Sequence, residues 1–330
     1  MKGRVPLDRL EVWGVKLALA GDTMLGRKVG EALAERPASA LVAPEVVEVA
    51  GEADLFVLNL ECCVSERGAP WRLPGKPFFF RAPPAAVELL ALLGVDCVTL
   101  ANNHALDYGP EALEDTLRHL AAAGIAAVGA GPDLAAARRP VVLDGGGLRL
   151  AVVGAGDHPE RFAAGDGRPG IAFADLTGGL PAWLERAVGA ADADAVLVTP
   201  HWGPNMTSAP LPYVRRAAGA LVDAGATLVA GHSAHVFHGV AGRVLYDLGD
   251  FLDDYAVDPA LRNDLGLLFL VTLDQRGPSA IEAVPLALDY CHTRLADGDD
   301  AAWVRRRFRR ACAELGTEAG EHAGRLVVRC

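Results

Sequence analysis

Five short apolar segments of this chain each end in a group of polar side chains. Residues 15–20 run into Gly-Asp-Thr at 21–23, and residues 97–100 run into two Asn and a His at 102–104. Apolar runs bounded by polar residues are typical of buried strands, and ligands bind at the carboxyl ends of strands in open α/β sheets. The pattern therefore predicts one site at one edge of a sheet, built from Asp22, Asn59 with Glu61, Asn102 to His104, His201, and His232 with His235.

Helical segments alternate with these strands, which favours an α/β layered fold. The clearest helix is predicted over 110–123, because Pro110 stands at its first position and Glu111 in its first turn. Further helices are predicted at 28–35, 44–51, 180–189, 212–224 and 301–315, a hairpin at 140–143 and 148–153 turning at 145–147, and late strands at 265–274 and 281–288. The segment 68–84 is predicted to be a loop that packs on the surface or over the site.

Charge and cysteine content narrow the class of protein. The net charge of −11 argues against a general nucleic-acid binder. The arginines at 305–310 are expected on a helix face that is either solvated or packed against an acidic part of the protein. The adjacent Cys62 and Cys63 are poor disulfide partners, so a reducing compartment is expected. Residues 1–11 carry charges throughout, and no segment has the length of a membrane span. We expect a cytoplasmic protein.

The polar strand ends have the composition of a site for divalent transition metals. Imidazole binds Mn, Fe, Co, Ni and Zn, carboxylate and amide oxygens complete the shell, and a carboxylate such as Glu61 can bridge two ions. Each residue also has an ordinary alternative: Asp22 could cap a helix, Glu61 could be solvated, and His201 could be a hydrogen-bonded turn residue.

Some polar residues lie outside the predicted group. The aspartates of one later loop fit the lining of a pocket or a solvated turn equally well: Asp247, Asp250, Asp253 and Asp254. His238 is expected to have a supporting or structural role. The remaining histidines are expected at the surface or in caps: His119, His158, His292 and His322.

Six motifs, in order between Val15 and Leu270, resemble the capsule-synthesis protein CapA family. They are GDTMLGR at 21–27, NLE at 59–61, ANNHALDYG at 101–109, HWG at 201–203, GHSAHV at 231–236 and YDLGDF at 246–251. Members are associated with poly-γ-glutamate capsule synthesis and belong to the calcineurin-like metallophosphoesterase superfamily. The resemblance implies an α/β fold, a four-layer αββα sandwich of two mixed sheets, over residues 1–290. Residues 291–330 would be a C-terminal helical extension packed on it.

The resemblance also implies roles for the site residues. Asp22 and His235 would hold a first metal, and Glu61 would bridge to a second. Asn103, His201 and His232 would hold that second metal. His104 resembles the superfamily's acid or phosphate-orienting histidine, and Asp107 would orient it.

Two positions depart from the superfamily pattern. Met24 stands where the first motif normally has a His, and the last motif is His-x-x-His instead of His-x-His. Because a thioether is a poor ligand for hard divalent ions, only Asp22, Glu61 and His235 would serve the first metal. That position is expected to bind more weakly than the second.

Two functions follow as hypotheses. The first is a metal-dependent hydrolase of a phosphoester or an amide, including a γ-glutamyl bond, with one or two Mn, Fe or Zn ions and His104 as proton donor to the leaving group. The second is a non-catalytic binding or assembly component that uses the metal site as a receptor for an anionic polymer. The expected partners are accordingly a small molecule or an anionic polymer, with neither nucleic acid nor a membrane span. The oligomeric state is left open.

Overall fold

Most strands of the computed structural model, which describes residues 14–71 and 76–330, form two large sheets, and two short pairs of strands lie outside them. In this part of the chain the strands are β1 (Val15–Thr23), β2 (Leu55–Leu60), β3 (Cys63–Val64), β4 (Arg81–Ala82), β5 (Cys97–Thr99), β6 (Ala126–Val128), β7 (Ala130–Gly131), β8 (Val141–Gly145), β9 (Leu148–Gly156), β10 (Gly170–Ile171), β11 (Ala195–His201), β12 (Leu228–Ala230), β13 (Val240–Ala241), β14 (Val244–Leu245), β15 (Asp250–Leu252), β16 (Leu265–Asp274), β17 (Gly277–Asp289), β18 (His292–Leu295), β19 (Ala319–His322) and β20 (Arg325–Arg329). The two short pairs are β3 with β4 and β7 with β10.

Helices connect and flank the strands. Over the same residues they are α1 (Arg27–Glu35), α2 (Pro44–Ala50), α3 (Ala86–Leu92), α4 (Pro110–Ala122), α5 (Leu134–Ala137), α6 (Ala182–Gly189), α7 (Pro212–Asp223) and α8 (Gly298–Glu314). Helix α4 begins at Pro110 as predicted, directly after Gly109 at φ 84°. Proline's fixed φ suits the first helical turn, where its missing N–H costs nothing.

Both sheets mix parallel and antiparallel strands. The ten-stranded sheet has the order β19-β20-β17-β16-β1-β2-β5-β6, with β15 paired to β1 and β18 to β17. Strands β1, β2, β5 and β6 are parallel, as are β9, β11 and β12 in the six-stranded sheet of order β13-β14-β12-β11-β9-β8. Parallel strands bring their carboxyl ends to a common edge, which places the predicted polar residues together.

The two sheets pack face to face with helices outside them. Leu17 shares an apolar cluster with Leu150 of the other sheet, whereas its neighbour Ala18 shares a cluster with Val29 of α1. Val214 of α7 belongs to a third cluster on the outer face of the six-stranded sheet. Alternation of side chains along each strand produces these layers. The chain is therefore an α/β sandwich with the layer order α, β, β, α, and the expected fold class is confirmed.

The C-terminal part contributes more than the predicted helix. Helix α8 lies at Gly298–Glu314, and its residues Val304 and Phe308 pack into the cluster between the sheets. Strands β18 and β20 also pair with β17, so residues after 290 complete the ten-stranded sheet. The expected extension is thus not only helical. The division of the chain at residue 290 stays a prediction.

Other sequence expectations have mixed outcomes. The hairpin forms, with Gly145 opposite Leu148 and a turn at residues 146–147. Among the helices of residues 14–71 and 76–330, none combines the length and the apolar composition that crossing a bilayer requires. The expectation for the first eleven residues lies outside the described residues. Part of the predicted loop, residues 72–75, lies outside them as well.

Candidate metal centre

The carboxyl ends of β1 and β2 position two carboxylates side by side. Asp22 lies within β1, and Glu61 directly follows β2. Asn59 is the register partner of Asp22 and donates from Nδ2 to Asp22 Oδ1 at 2.7 Å. Asn102, after β5, donates in turn to Asn59 Oδ1 at 2.9 Å. The buried amides therefore fix the Asp22 carboxylate, and this accounts for two of the Asn residues at the strand ends.

Asp22, His235 and Asp250 form the tightest group of possible ligands. One ligand atom from each lies within 4.8 Å of the others, and all three residues are buried. His235 Nδ1 is 3.3 Å from Asp22 Oδ2 and 2.8 Å from Asp250 Oδ1. Asp250 is brought here because β15 pairs in parallel with β1, with Asp250 opposite Asp22. Two carboxylates and an imidazole suit a divalent transition-metal ion.

Glu61 lies between two imidazoles. Its Oε1 is 3.9 Å from His235 Nε2 and 3.8 Å from His104 Nε2. Both of its carboxylate oxygens are buried and accept no hydrogen bond from any residue that the structure describes. An unpaired buried charge is costly, so this carboxylate requires either a proton or a cation. Burial, reinforced by the Asp22 carboxylate, raises the Glu61 pKa well above its ordinary value.

The second group comes from the six-stranded sheet and one loop of the other. His201 ends β11 and pairs with His232 in a parallel bridge, and His232 Nδ1 lies 3.5 Å from Asp22 Oδ1. Both ring nitrogens of His201, Nδ1 of His232 and Oδ1 of Asn103 are buried without a hydrogen-bond partner among residues 14–71 and 76–330. Burial lowers the His201 pKa well below its ordinary value. The ring is therefore neutral, which is the form that binds metals.

His104 is held by a carboxylate that also contacts a lysine. His104 Nδ1 lies 2.6 Å from Asp107 Oδ2, which also accepts from the Phe80 amide at 2.6 Å. Lys76 Nζ lies 2.8 Å from Asp107 Oδ1 and donates to the Asn103 carbonyl at 2.7 Å. Burial lowers the His104 pKa to about 4 despite the neighbouring Asp107. At neutral pH the ring donates from Nδ1 to Asp107, and Nε2 keeps its lone pair.

The charges of the cluster depend on one another. Burial acts to raise the Asp22 pKa, but the close contact with the His232 ring and the charge of His235 outweigh it and hold the pKa below its ordinary value. Burial acts to lower the His235 pKa, but Glu61 and Asp22 outweigh it and raise the pKa. The Asp250 pKa is raised by burial and by neighbouring carboxylates. The site thus holds protons that a bound cation would displace.

Asp250 is a candidate ligand that the predicted set for the first metal position did not include. Met24 is fully buried among the residues that pack under the first helices, and its sulfur accepts from the Gly26 amide at 3.1 Å. Asp250 instead lies beside Asp22 and His235. Asp250 is therefore a further candidate ligand for the first metal position, beside the three predicted residues, whose roles stay predictions. His238 donates from Nε2 to the Thr207 carbonyl at 2.8 Å, which is a structural contact.

At the site two backbone segments approach each other closely, and two non-glycine residues have positive φ values. A Cβ on Gly21 would lie 1.8 Å from the Gly249 carbonyl oxygen, so only glycine lets β1 approach the segment before β15. Ser233 and His235 have φ values of 112° and 59°. Non-glycine residues in this region are strained and cluster at functional sites. Both residues lie in the segment that places the His235 ring beside Asp22 and Asp250.

Three residues near the site were not among the predicted ones. Lys76 has no local sequence signal, since it stands alone in a predicted loop. Asp157 and His158 follow β9, and the His158 ring lies 5.3 Å from the His201 ring, centroid to centroid. Here a signal existed: Gly-Asp-His at 156–158 follows an apolar strand, as Gly-Asp-Thr at 21–23 does.

Comparison with known proteins agrees with the motif resemblance. A family model described as bacterial capsule synthesis protein PGA_cap matches residues 16–255. A "probable polyglutamine synthesis accessory protein" of Mycobacterium tuberculosis is 33% identical over 287 residues, covering 80% of this chain and 73% of that protein. The capsule biosynthesis protein CapA of Bacillus anthracis is 29% identical over 295 residues, covering 85% and 69%.

A further relative and several solved structures also match this chain. The PGA biosynthesis protein CapA of Bacillus subtilis is 30% identical over 243 residues, covering 72% of this chain and 63% of that protein. A crystal structure of a hypothetical protein from Thermus thermophilus covers 83% of this chain and 100% of that chain, with a TM-score of 0.49 and 15% identity. Because the family model matches most of the chain and the mycobacterial relative is 33% identical over 80% of it, this chain belongs to the bacterial capsule synthesis protein PGA_cap family.

Proposed function

We propose that this chain is a metal-dependent hydrolase that cleaves a phosphoester or an amide, including the γ-glutamyl amide of poly-γ-glutamate. The observation that carries the proposal is Glu61, whose two buried oxygens have no hydrogen-bond partner among the described residues and which lies within 4 Å of two imidazoles. A carboxylate in that position is well suited to bind a cation. The name of the Bacillus subtilis relative, PGA biosynthesis protein CapA, together with the family resemblance, supports a substrate or product related to poly-γ-glutamate.

The residues fall into two sets that share Glu61. Asp22, His235 and Asp250 would complete a first position with it, and Asn103, His201 and His232 would complete a second. Their donors are carboxylates, an amide and imidazoles, which fit Mn, Fe or Zn. A divalent ion held there would polarise a phosphoryl or carbonyl oxygen and lower the pKa of water.

His104 would carry the proton. Its ring is fixed by Asp107, and its Nε2 faces the centre of the cluster, 3.8 Å from Glu61. Because the free ring is neutral, Nε2 would first take a proton from the attacking water and then give it to the leaving oxygen or nitrogen. Asp107 would stabilise the charged ring between these steps, and Lys76 would hold Asp107 in place.

The test combines metal analysis with an activity screen. Metals in the purified protein are quantified by plasma mass spectrometry, and turnover is measured on phosphomonoesters, phosphodiesters and γ-glutamyl oligomers. Glu61→Ala and His232→Ala should each lose bound metal and turnover, because each removes one ligand from a shared site. The exposed Glu114→Ala and His322→Ala serve as matched controls and should retain both.

Two outcomes would refute the proposal in different ways. Unchanged metal content in both Glu61→Ala and His232→Ala would remove the metal site. Bound metal and bound γ-glutamyl oligomer without turnover of any substrate would favour the alternative function, a non-catalytic component that binds an anionic polymer. The mycobacterial relative is named an accessory protein, and this name is a reason to test for the second outcome.

A further inference from the structure

A second histidine–aspartate pair lies at the end of β9, outside the predicted site. Strand β9 belongs to the six-stranded sheet, whereas the His104 loop follows β5 of the ten-stranded sheet. The two strand ends nevertheless meet: a Cβ on Gly156 would lie 2.2 Å from the Ala101 carbonyl oxygen. His158, two residues after Gly156, is therefore anchored at the junction where the His104 loop begins.

Asp157 is fully engaged in holding this histidine and its surroundings. Its Oδ1 bonds to His158 Nδ1. Its Oδ2 accepts from the Tyr213 hydroxyl at 2.7 Å and from the Gly203 amide at 3.1 Å. Its own amide donates to the His201 carbonyl at 3.0 Å. A carboxylate with this many bonds fixes the orientation of the imidazole that it contacts.

The His158 ring is held in one orientation, and one of its nitrogens remains available for a hydrogen bond. Its second nitrogen, Nε2, makes no hydrogen bond with any residue in the described ranges, whereas Nδ1 is committed to Asp157. The side chain is 34% exposed, compared with 6% for His104, 2% for His232 and 8% for His235. Of these four imidazoles, His158 is by far the most open to solvent, and its ring lies 5.3 Å from that of the buried His201.

The surroundings of His158 leave one ring nitrogen available. Most buried side-chain polar atoms have a hydrogen-bond partner, so a fixed ring with an open nitrogen next to the candidate site is a candidate for contact with a ligand. Here Tyr213, Gly203 and Asp157 together aim a half-open ring beside the candidate second metal position. A proton shared between Nε2 and a bound oxyanion would be stabilised by Asp157, which contacts the opposite side of the ring at Nδ1.

We propose that His158 is a substrate-binding residue whose Nε2 donates a hydrogen bond to an anionic oxygen of the molecule that reaches His201. The inference rests on the proposed function, because it takes the Asn103, His201 and His232 set as the place where the reacting group binds. The ligand class is an oxyanion, either the phosphate of a phosphoester or the α-carboxylate of a γ-glutamyl unit. His104 would thus act on the substrate from one sheet, and His158 would bind it from the other.

The experiment uses the full chain loaded with metal and two probes, inorganic phosphate and di-γ-glutamate. Affinity is measured by calorimetry for His158→Ala, His158→Gln and His158→Asn, together with metal content and, for any substrate that is turned over, kcat and KM. His292→Ala is the matched control, because His292 is also 34% exposed and lies 4.0 Å from Asp289, but sits on β18 outside the cluster.

Loss of a hydrogen bond to an anionic group should lower the affinity of His158→Ala for one of the two probes by about 10- to 100-fold. The metal content should be unchanged. Whichever probe weakens identifies the oxyanion as phosphate or carboxylate. Gln places its amide near the Nε2 position and Asn near Nδ1, so His158→Gln should retain more affinity than His158→Asn. KM should rise more than kcat falls, and His292→Ala should match the unmodified protein.

Several results would overturn the inference. Loss of metal in His158→Ala would make His158 a ligand, and unchanged affinity for both probes would show that it does not contact an oxyanion. Equal losses in the Ala, Gln and Asn variants would indicate a structural role, and so would a lower melting temperature in all three. An unmodified protein that binds neither probe would also refute it. Binding is read separately from turnover, so a protein that binds a probe without cleaving anything refutes the proposed hydrolase and leaves the His158 result standing.

Discussion

The most informative single change is Asp250→Asn, because the structure predicts opposite effects on metal binding and on the metal-free protein. Asp250 Oδ1 contacts His235 Nδ1 at 2.8 Å, and Oδ2 is buried without a hydrogen-bond partner among the residues described. The β1–β15 pairing holds the backbone, so asparagine should occupy the same volume. The substitution removes one negative charge and little else.

The magnitude follows from the possible roles of this carboxylate. Whether Asp250 is a ligand or only orients His235, its loss should weaken metal binding about 10- to 100-fold. At a free metal concentration about 100-fold above Kd, binding stabilises the unmodified protein by about 2.7 kcal/mol. At the same concentration the variant would gain only about 0.4 to 1.4 kcal/mol. For a chain of this length the metal-induced rise in Tm should therefore be about 2–3 °C smaller.

In the metal-free protein the sign reverses. Burial and the neighbouring carboxylates raise the Asp250 pKa, so its negative charge destabilises the folded state at neutral pH. Asparagine has no such charge, and the chelated variant should melt at a higher temperature than the chelated unmodified protein. Calorimetric metal titration and thermal melts with and without chelator measure both effects. Asp289→Asn, which changes an exposed aspartate beside His292, is the control. Unchanged metal affinity together with an unchanged thermal shift would refute the assignment of Asp250 to the site.

Two further predictions concern proton transfer and pH. His104→Ala should retain bound metal and lose turnover by roughly 10²–10⁴-fold, as expected for removal of a general acid–base group; loss of metal would instead make His104 a ligand. Because burial raises the Glu61 pKa, this group favours the folded metal-free protein below its ordinary pKa of 4.5 and loses that contribution as pH rises through the folded value. The Tm difference between chelated Glu61→Gln and chelated unmodified protein should therefore widen from pH 5 to pH 8, and a constant difference would contradict the unpaired state of Glu61.

The sequence predicted the elements whose signals are local. Strands β1, β2 and β5 are apolar runs with polar ends. Helix α4 begins at Pro110, directly after Gly109, so the signals for its start are adjacent in the sequence. The family resemblance, confirmed by the comparisons, supplied the sandwich, which local patterns alone do not specify. The expected site residues do meet at one edge, but their roles as ligands and as proton carrier stay predictions.

What the sequence did not predict depends on contacts between distant segments. Asp250 had the same local appearance as Asp253 and Asp254, and only the pairing of β15 with β1 distinguishes it. Strands β18 to β20 were not predicted, because each is short and they stand directly before and after the strongly helical segment of α8. Lys76 reaches Asp107 across 31 positions of sequence, and nothing near it marks that contact.

The carboxylates and most of the imidazoles of the site come from different sheets, so the site depends on contacts between distant segments of the chain. The carboxylates Asp22, Glu61 and Asp250 are positioned by strands of the ten-stranded sheet, whereas His201 and the His232–His235 segment follow strands of the six-stranded sheet. Carboxylates alone would repel one another, and imidazoles alone would bind metals weakly at low pH. Packing the sheets face to face brings the two kinds of side chain together only in the folded sandwich. A cation bound by both would link the sheets, so metal affinity and the packing of the sandwich must depend on each other.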